Sequence, residues 1–597
     1  MSRNKIDILY FIRYRLRIFP VLIMDKVMNK YRINMKADES YPKIINKSLD
    51  PMLEVQKISP LGESIIKDGK VILLGKDVNM GWPPKWETPE TGIWPKDYSE
   101  NIKFYGDGID NDIKLVWELH RLQWLPSVAA YSIKIKNKEL NTEIIDVMID
   151  YINNHPKNKT ISWMEGIEIT LRSISIIETL SYLKDEIIED SRISIIHHQL
   201  VEYAKWIDKH LSQKWRLNNN HLILELIGLI IIGTYLDWHP KSKYWKNKAI
   251  KLLDKEIKLQ TIDGRNWEPT TAYHRFVTES LLVMSYYTTN MNFNNRGEMK
   301  DIKEVLQKSV EVLKFMSIGK DENMPLIGDD DAGIVLPREL DMDFRSNLRV
   351  LNFSRKLGYK FEKNNYGVRF WEDQGMGIIQ NKQMMIHFVT GAPKGKYRQG
   401  SHRHIDMLSL SISVENEEII LDSGTGLYFG NKKMRDFFRS EESHSGIYSK
   451  NYSWAELNNL FEVKNPPIGD LRIEENKIFM SCLHPSGITQ RRNIEWHENN
   501  IEINDPLDLK NPVICFIVKD IGHISTNEGI WEMRGKGWRM THRPMPDEIK
   551  ISSTKDKNTL KTKDTLYSPS YGIIKTANRI EFLHQKGVTA TTQIWID

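Results

Sequence analysis

The sequence predicts an α+β chain of several domains, in which an N-terminal (α/α) toroid is followed by an antiparallel β-sandwich. Up to about residue 357 the apolar residues recur with the 3.6-residue period of helices, and after about residue 366 they alternate with a period of two. At 597 residues the chain is also too long for one ordinary core. We therefore expect three segments, 1–110, 111–360 and 361–597.

The first segment, residues 1–110, is expected to hold an N-terminal helix and an extended arm packed on the toroid. Between residues 8 and 31, Arg and Lys alternate with Ile, Leu, Phe and Met. This pattern suits a docking helix with a basic outer face, or a helix lying on an anionic membrane surface. Residues 35–110 are punctuated by Pro, Gly, Asn and Trp, as in Met80-Gly-Trp-Pro-Pro-Lys-Trp86. They predict an irregular arm with tryptophan anchors.

The second segment, residues 111–360, carries repeated helical patterns. Ile144, Ile145, Val147 and Met148 fit one face of a helix. The stretch 222–235 is apolar nearly all round and predicts a buried helix. Successive helical hairpins of this length favour an (α/α) toroid over a four-helix bundle.

The third segment, residues 361–597, reads as a series of short strands. Alternation is clear in 408–414 and 501–504, and turn residues separate the apolar runs throughout. No long helical pattern returns after the change of period. These features are typical of a β-sandwich.

Composition excludes several classes of function. The net charge of +5 is spread along the chain, so the concentrated basic stripe typical of nucleic-acid binding is missing. A slightly positive chain suits an acidic small molecule or polysaccharide. Cys482 and Cys515 are the only cysteines, which excludes a disulfide framework and a cysteine-rich metal site. No signal peptide or transmembrane run is visible, so we expect a cytoplasmic or peripheral membrane protein rather than a secreted one.

The segment His402-Arg-His-Ile-Asp406 is the most informative motif. If it forms a strand, His402 and His404 share one face, because residues i and i+2 point the same way. Two imidazoles side by side make a poor core. Asp422, at a Gly-rich turn, and His444 follow later in the chain. We expect these side chains to converge on a ligand or a metal.

The order of the motifs resembles the heparinase II/III-like polysaccharide lyases over more than half of the chain. The matching stretches are 112–121, 163–172, Asn218-Asn-Asn-His221, Asp263-Gly-Arg-Asn-Trp-Glu268 with Tyr273, 402–409, 421–425 and 438–444. One departure is Ser445, which stands where the family usually has Asn. The resemblance implies the toroid-plus-sandwich fold and cleavage of a uronic-acid-containing chain by β-elimination.

The resemblance also implies roles for particular residues. Asn219, Asn220 and His221 become candidates for neutralising the uronate carboxylate; the alternative is that one asparagine caps the helix that follows. Tyr273 is the candidate acid, and a candidate base as well, with its barrier lowered by nearby His274, Arg275 or Glu268. His402 is the second candidate for proton transfer.

A metal site is also implied. His404, Asp422 and His444 offer the nitrogen and oxygen ligands of a structural divalent cation, zinc by preference, or form a hydrogen-bonded cluster without metal. Asp406 is expected to orient a histidine or cap a turn rather than bind the metal. No organic cofactor is expected.

Charged residues near these motifs are candidates for substrate binding. They are Glu118, Arg121, Glu268, Arg398 and Arg439, with His120, Glu168 and Arg172 as weaker candidates or structural ion pairs. The run Gly328-Asp-Asp-Asp331 is expected to be a solvated acidic turn.

Two other functions remain open from the sequence. One is a catalytically silent protein that binds or assembles surface polysaccharide. The other is a glycoside hydrolase, which needs two opposed carboxylates that do not stand out here. Heparan sulfate, alginate and a bacterial capsule all fit as substrate, and the missing export signal favours the capsule.

Overall fold

The computed structural model describes residues 49–596, except 107, 188–189, 214–217, 291–298, 363–365, 393–400, 415–416 and 554–565. The expected helix between residues 8 and 31, the expected substrate residue Arg398 and the polar stretch 555–563, which the sequence predicts to be a mobile loop, lie outside the described residues. Within the described ranges, no helix combines the length and apolar character that a membrane span requires.

The first part of the described chain is helical apart from two short hairpins. Its helices are α1 Val55–Asp68, α2 Ile113–His120, α3 Leu125–Ile135, α4 Lys138–Asn154, α5 Gly166–Leu183, α6 Ile193–Lys209, α7 Asn220–Tyr235, α8 Ser242–Gln260, α9 Thr271–Asn290, α10 Lys300–Phe315 and α11 Leu348–Lys356. The hairpins pair β1 Lys70–Leu73 with β2 Lys76–Asn79, and β3 Thr261–Ile262 with β4 Arg265–Asn266.

Alternate helices build the inner layer of the toroid. Helix α3 packs on α5, α5 on α7, and α7 on α9, while α4, α6, α8 and α10 cover them from outside. Helix α7 lies within this arrangement and is buried nearly all round, as its apolar sequence predicts. The amphipathic helix α4 buries Ile144, Ile145, Val147 and Met148, and the Asn137 side chain caps its start by accepting from the Leu140 N–H at 3.0 Å.

The arm differs from the sequence prediction. Residues 35–110 read as irregular, yet α1 is a 14-residue helix that packs on α3 and extends the inner layer. The helix contains Pro60 and Gly62, two residue types that disfavour helix interiors, so this stretch reads as irregular in the sequence. The predicted anchoring by tryptophan is present, since Trp82 and Trp86 donate to Glu143 and Asp150 of α4.

The second part is built from antiparallel sheets. One has five strands in sequential order: β5 Gly367–Trp371, β6 Met376–Gln380, β7 Met384–Val389, β8 Ser409–Val414 and β9 Glu417–Ile420. Helix α12 Lys432–Arg439 and the small pair β11 Glu456–Leu457 and β12 Val463–Lys464 follow it.

The remaining strands complete the sandwich. They are β10 Ile447–Ser449, β13 Gly469–Glu474, β14 Lys477–Leu483, β15 Thr489–Trp496, β16 Asn500–Pro506, β17 Pro512–Val518, β18 His523–Asn527, β19 Ile530–Gly535, β20 Trp538–Arg543, β21 Glu548–Ser553, β22 Leu566–Ser570, β23 Ile573–Thr576, β24 Asn578–Leu583 and β25 Thr589–Ile596. An eight-stranded sheet has the order β13-β14-β15-β16-β25-β20-β19-β18, and a four-stranded sheet has β10-β17-β24-β21. Strand β16 shows the alternation predicted for residues 501–504, with Ile501 and Ile503 buried in the core that the sheets share.

Candidate active site

A cavity of about 510 Å³ is lined by residues of both parts of the molecule. The helical part contributes Asn219, Asn220, His221 and Tyr273, and the sandwich part contributes His402. The five residues predicted to take part in catalysis therefore line one space. The cavity volume lies within the range of pockets that bind small ligands, about 300 to 1,000 Å³.

The two asparagines lie at the start of helix α7. Asn219 occupies the N-cap position, but its side chain makes no capping hydrogen bond, and its buried Oδ1 has no partner among the described residues. Asn220 donates its N–H and its Nδ2 to Glu268 Oε2 at 3.0 and 2.9 Å. The alternative that one asparagine side chain caps the helix is therefore not observed. His221 is half-buried, with Nδ1 3.6 Å from Glu165 Oε2.

Tyr273 lies in the first turn of helix α9, where its N–H donates to Thr270 Oγ1 at 2.9 Å. Its hydroxyl oxygen is 3.2 Å from that of Tyr428, and its ring stacks on His402 with 4.3 Å between centroids. Burial, followed by the nearby carboxylate of Asp331, raises the pKa of Tyr273 well above 10. The hydroxyl is therefore protonated at neutral pH.

The neighbours expected to assist Tyr273 do not do so. The His274 ring nitrogens contact the main chain of Asn266 and Ser309, and Arg275 donates to Phe344 O. Glu268 is one of the carboxylates that raise the pKa of Tyr273. Proximity in the sequence was misleading here because successive residues of a helix point in different directions.

His402 and His404 are not in a strand, and this prediction was wrong. Strand β8 begins only at Ser409, and His402 has a φ of 70°, which is incompatible with an extended strand. One carboxylate nevertheless joins the two imidazoles. Asp329 Oδ2 lies 2.9 Å from His402 Nδ1, and Asp329 Oδ1 lies 2.9 Å from His404 Nε2.

The acidic run 328–331 is not a solvated turn, so this prediction was also wrong. Asp329 and Asp330 are buried, and Asp331 lines the cavity and pairs with Lys114 Nζ at 2.8 Å. Asp329 pairs with Arg435, whose Nη2 is 2.7 Å from Oδ2. A run of three aspartates is typical of surfaces, and only the basic partners supplied by other segments make its burial favourable.

His404, Asp422 and His444 form a compact buried cluster. Each offers a nitrogen or carboxylate oxygen, and these atoms lie within 4.8 Å of one another. His444 Nδ1 is 2.8 Å from Asp422 Oδ2, while His404 Nδ1 and His444 Nε2 are buried without a partner among the described residues. Two imidazole nitrogens and a carboxylate at this spacing fit a divalent cation such as zinc.

Asp406 and Ser445 lie beside this cluster. The Asp406 side chain is buried, and its Oδ1 has no hydrogen-bond partner among the described residues. Asp406 was expected to orient a histidine or cap a turn, and Oδ1 makes no such hydrogen bond to a histidine of the described chain. Ser445 Oγ donates to Leu421 O at 2.8 Å and accepts from the Ile517 N–H at 2.9 Å. Ser445 therefore supports the main chain around the cluster.

The predicted substrate-binding residues are placed differently from one another. Glu118 is buried in ion pairs with Arg121 and Arg338, and Arg121 also pairs with Glu168 at 2.8 Å while lining the cavity. The Glu118 carboxylate pairs with Arg121 and Arg338, and the Glu268 carboxylate accepts from the Asn220 amide. Arg439 is fully buried, donates to Asn459 O and does not line the cavity. Glu118 and Arg439 are therefore not positioned to contact a ligand in the cavity.

Several cavity residues were missed from the sequence. Tyr428 follows the predicted Gly-rich turn, and Arg435 lies over its ring at 4.7 Å. A group of aromatic rings also lines the cavity, and such rings can stack on sugars: Phe104, Tyr105, Trp117, Phe429 and Phe461. The only signal for Tyr428 was its place after Gly424 and Gly426. The aromatic residues come from separate stretches of the chain, around residues 104–117, 428–429 and 461, so no local pattern could group all of them.

The chain was compared with known proteins in three ways. Residues 85–341 match the family model described as heparinase II/III N-terminus, and residues 364–596 match the model described as heparinase II/III-like, C-terminal. None of the curated proteins matches this chain.

Solved structures share the fold at low sequence identity. A crystal structure of heparinase III has a TM-score of 0.64 at 14% identity, over 95% of this chain and 87% of that one. Heparan sulfate lyase HepC from Pedobacter heparinus has a TM-score of 0.54 at 14% identity, over 94% and 86%. These similarities support the predicted toroid and β-sandwich.

Proposed function

The chain belongs to the heparinase II/III-like family of polysaccharide lyases, and from this premise we propose that it cleaves a uronic-acid-containing polysaccharide by β-elimination. The observation that carries the proposal is the meeting of Asn220, Tyr273 and His402 in one cavity. In the reaction a base removes the C5 proton, the C–H electrons form the C4=C5 double bond, and the C4–O bond breaks. An acid protonates the departing oxygen.

Tyr273 is the proposed acid. Its raised pKa keeps a proton on the hydroxyl, which supports donation to the leaving oxygen and argues against the additional role of base. The hydroxyl of Tyr428, 3.2 Å away, can stabilise the phenolate that forms. This side of the reaction needs no group beyond the two phenols.

His402 is the proposed base. If Nδ1 carries the hydrogen and donates a hydrogen bond to Asp329 Oδ2, Nε2 is left with a free lone pair. That nitrogen is 3.8 Å from Glu268 Oε1, so an imidazolium formed there is next to a negative charge. Asp329 is then a positioning residue that selects the tautomer and orients the ring.

The amides of Asn219 and Asn220 are proposed to neutralise the substrate carboxylate. Charge moves onto that carboxylate when the C5 proton leaves, and preorganised N–H donors stabilise such charge. Glu268 orients the Asn220 amide, while the Asn219 side chain has no capping bond that would compete. Separate Asn219→Ala and Asn220→Ala variants distinguish the two, because the neutralising residue is the one whose loss lowers kcat.

We also propose that His404, Asp422 and His444 hold a structural divalent cation, with zinc preferred. The two buried imidazole nitrogens without partners support this. The cation would fix the loop that carries His402 and takes no part in the proton transfers. The chain's own residues perform each of those transfers.

The main test uses Tyr273→Phe. The variant should lose about 10²- to 10⁴-fold in kcat/KM, since it lacks only the proton donor. The readout is the ultraviolet absorbance of the unsaturated uronate, measured over a panel of uronic-acid polysaccharides. Tyr182→Phe is the matched control, because its buried hydroxyl donates to Leu53 O away from the cavity. Cleavage without an ultraviolet-absorbing product would indicate a hydrolase and refute the proposal.

The stacked arrangement of Tyr273 and His402 makes a stereochemical prediction. Acid and base approach the sugar from the same side, which suits uronates whose C5 hydrogen and C4 oxygen are syn. Glucuronate and mannuronate meet this condition in the usual chair, and their C5 epimers iduronate and guluronate do not. Two polymers that differ only in the configuration at C5 therefore form a matched pair of test substrates. Equal cleavage of both epimers would contradict the proposed roles.

A further inference from the structure

Two buried arginines lie behind the segments that carry Glu268 and His402. Arg265 is in β4, three residues before Glu268, and Arg403 directly follows His402. Their exposed fractions are 0% and 2%. Neither residue lines the cavity described above.

Both guanidinium groups have hydrogen-bond donors without partners among the described residues. Arg265 Nη2 donates to Thr270 O at 3.2 Å, but its Nε and Nη1 have no acceptor. Arg403 donates to Gly391 O and Gln374 O at 3.3 and 3.1 Å, but its Nε has no acceptor. Buried donors in folded proteins are nearly always paired, so an acceptor is expected at these three nitrogens.

The charges are only partly compensated: the Arg265 guanidinium lies over the Trp371 ring, 5.1 Å from its centroid. Among the described residues, no carboxylate lies within ion-pair distance of Arg265 or Arg403. Gln374 links the two residues, because Arg403 Nη2 donates to Gln374 O, and Gln374 Nε2 donates to the main-chain oxygen of Asn266, which follows Arg265. Burial, and then the positive charge of Arg403, lower the pKa of Arg265 to about 9, which still leaves it charged at neutral pH. Asp406 attracts Arg403, so two positive charges stand against one negative charge. A buried cation without a counter-charge is strongly unfavourable.

We propose that a small monovalent anion, chloride under physiological conditions, binds between Arg265 and Arg403. Its ligands are Arg265 Nε and Nη1 together with Arg403 Nε. Both arginines are buried. Gln374 contacts both segments, and the pKa of His387 is lowered by burial and then by Arg265. Gln374 Oε1 and His387 Nδ1 are also without a partner among the described residues. They can bind a water molecule beside the anion, and they do not supply the additional strong donors that sulfate or phosphate would need.

The position of the site gives it a structural role. Arg265 belongs to the hairpin of the helical part, whereas Arg403, Gln374 and His387 belong to the sandwich part. Gln374 Nε2 already donates across this boundary to Asn266 O. The anion therefore joins the segment that orients Asn220 through Glu268 to the segment that carries His402. The proposal is independent of the polymer that the enzyme cleaves.

The test measures thermal stability of the full chain in sodium chloride, with sodium gluconate holding the ionic strength constant. Wild type should gain about 2 to 5 °C in Tm in a saturable manner, because the anion binds only the folded state. Arg265→Met keeps the apolar stem and should lose this dependence. Arg472→Met, at an exposed position of β13, is the control and should keep it. A Tm of wild type that does not saturate with chloride, or equal chloride dependence in Arg265→Met, would overturn the proposal.

A second measurement does not depend on any variant folding. Crystals of wild type grown in sodium bromide should show an anomalous peak within hydrogen-bond distance of Arg265 Nε and Nη1. Density for water alone at these nitrogens would refute the anion site.

Discussion

Asp329 is the residue on which the geometry of the site depends most. Its two oxygens contact His402 and His404, and Arg435 compensates its charge. Although burial opposes ionisation, Arg435 and the two imidazoles hold the pKa of Asp329 well below its usual value. One carboxylate thus orients the proposed base and a proposed metal ligand together.

Asp329→Asn should lower both stability and kcat. Loss of the charge leaves Arg435 buried without its counter-charge, at a cost of about 3 kcal/mol, and the amide no longer selects the His402 tautomer. Tm and kcat are measured together, with Asp330→Asn as the control because Asp330 contacts neither histidine. A folded Asp329→Asn enzyme with the kcat of wild type would show that His402 does not need this orientation.

Metal removal should affect the cluster of His404, Asp422 and His444. The purified protein is expected to contain about one equivalent of zinc, and chelation should lower Tm because two buried imidazole nitrogens lose their partner. His444→Ala should abolish the bound metal in elemental analysis. His484→Ala, which changes a histidine away from the cluster, should retain it. Wild type without metal after growth in zinc would contradict the site.

At the scale of secondary-structure elements, the packing of helix α1 on α3 attaches the arm to the toroid. Helix α1 packs so closely on α3 that a Cβ added to Gly62 would lie 2.0 Å from the main-chain oxygen of Ser127. The neighbouring residue Pro60 makes α1 a poor helix in isolation. Its helical structure therefore depends on the packing of its buried face against α3.

Gly62→Ala should lower the free energy of unfolding by about 1 to 3 kcal/mol, although alanine favours helices more than glycine does. The main-chain oxygen of Ser127 cannot move aside as a side-chain tip could, so the helices must separate. Chemical unfolding measures the change, and Gln56→Ala on the exposed face of α1 should be nearly neutral. An unchanged or increased stability of Gly62→Ala would show that α1 and α3 do not pack this closely.

At the scale of the whole molecule, the two parts are joined beside the cavity. Tyr571 donates to Asp112 Oδ2 at 2.6 Å, at the start of helix α2, and accepts from the Tyr428 N–H at 2.8 Å. A cavity residue of the sandwich is thereby attached to the helical part. The position of Tyr428 relative to Tyr273 depends on this contact between the two parts.

Stability should fall in acid because both parts contain buried neutral histidines. Burial lowers the pKa to about 3 in each of four histidines, His155, His274, His387 and His542. Between pH 6.5 and 3 the unfolded chain therefore binds protons that the folded chain does not. As the pH falls through this range, each such histidine lowers the free energy of unfolding by about 1.4 kcal/mol per pH unit.

Three buried glutamates oppose this effect over part of the range. Burial raises the pKa of Glu178, Glu225 and Glu441 to about 7, so the folded chain holds extra protons between pH 7 and 4.5. The steepest loss of Tm is therefore expected between about pH 4.5 and 3. His542→Gln, which removes one histidine of the pair His542–His584, should flatten this loss; an unchanged slope would show that His542 is not neutral in the folded chain.

The sequence predicted the site well where long-range order of motifs carried the information. The Asn218-Asn-Asn-His221 motif, Tyr273 and the histidine motif were each weak alone, and their shared order identified the cavity residues. The prediction from sequence failed for Glu118, Arg439 and the acidic run 328–331. The sequence alone does not show whether a charged residue contacts a ligand, pairs with another residue of the protein or is solvated. Partners far away in the chain decide between these outcomes.

By itself, the sequence determined the family, the helical and β-sandwich parts and five of the residues at the cavity, since periodicity and motif order are properties of the chain. Only the tertiary structure decided which atoms meet. It placed Asp329 between His402 and His404, and Tyr428 against Tyr273. These contacts join segments up to about 155 residues apart, and their energies arise from burial and charge pairing that exist only after the two parts have packed together.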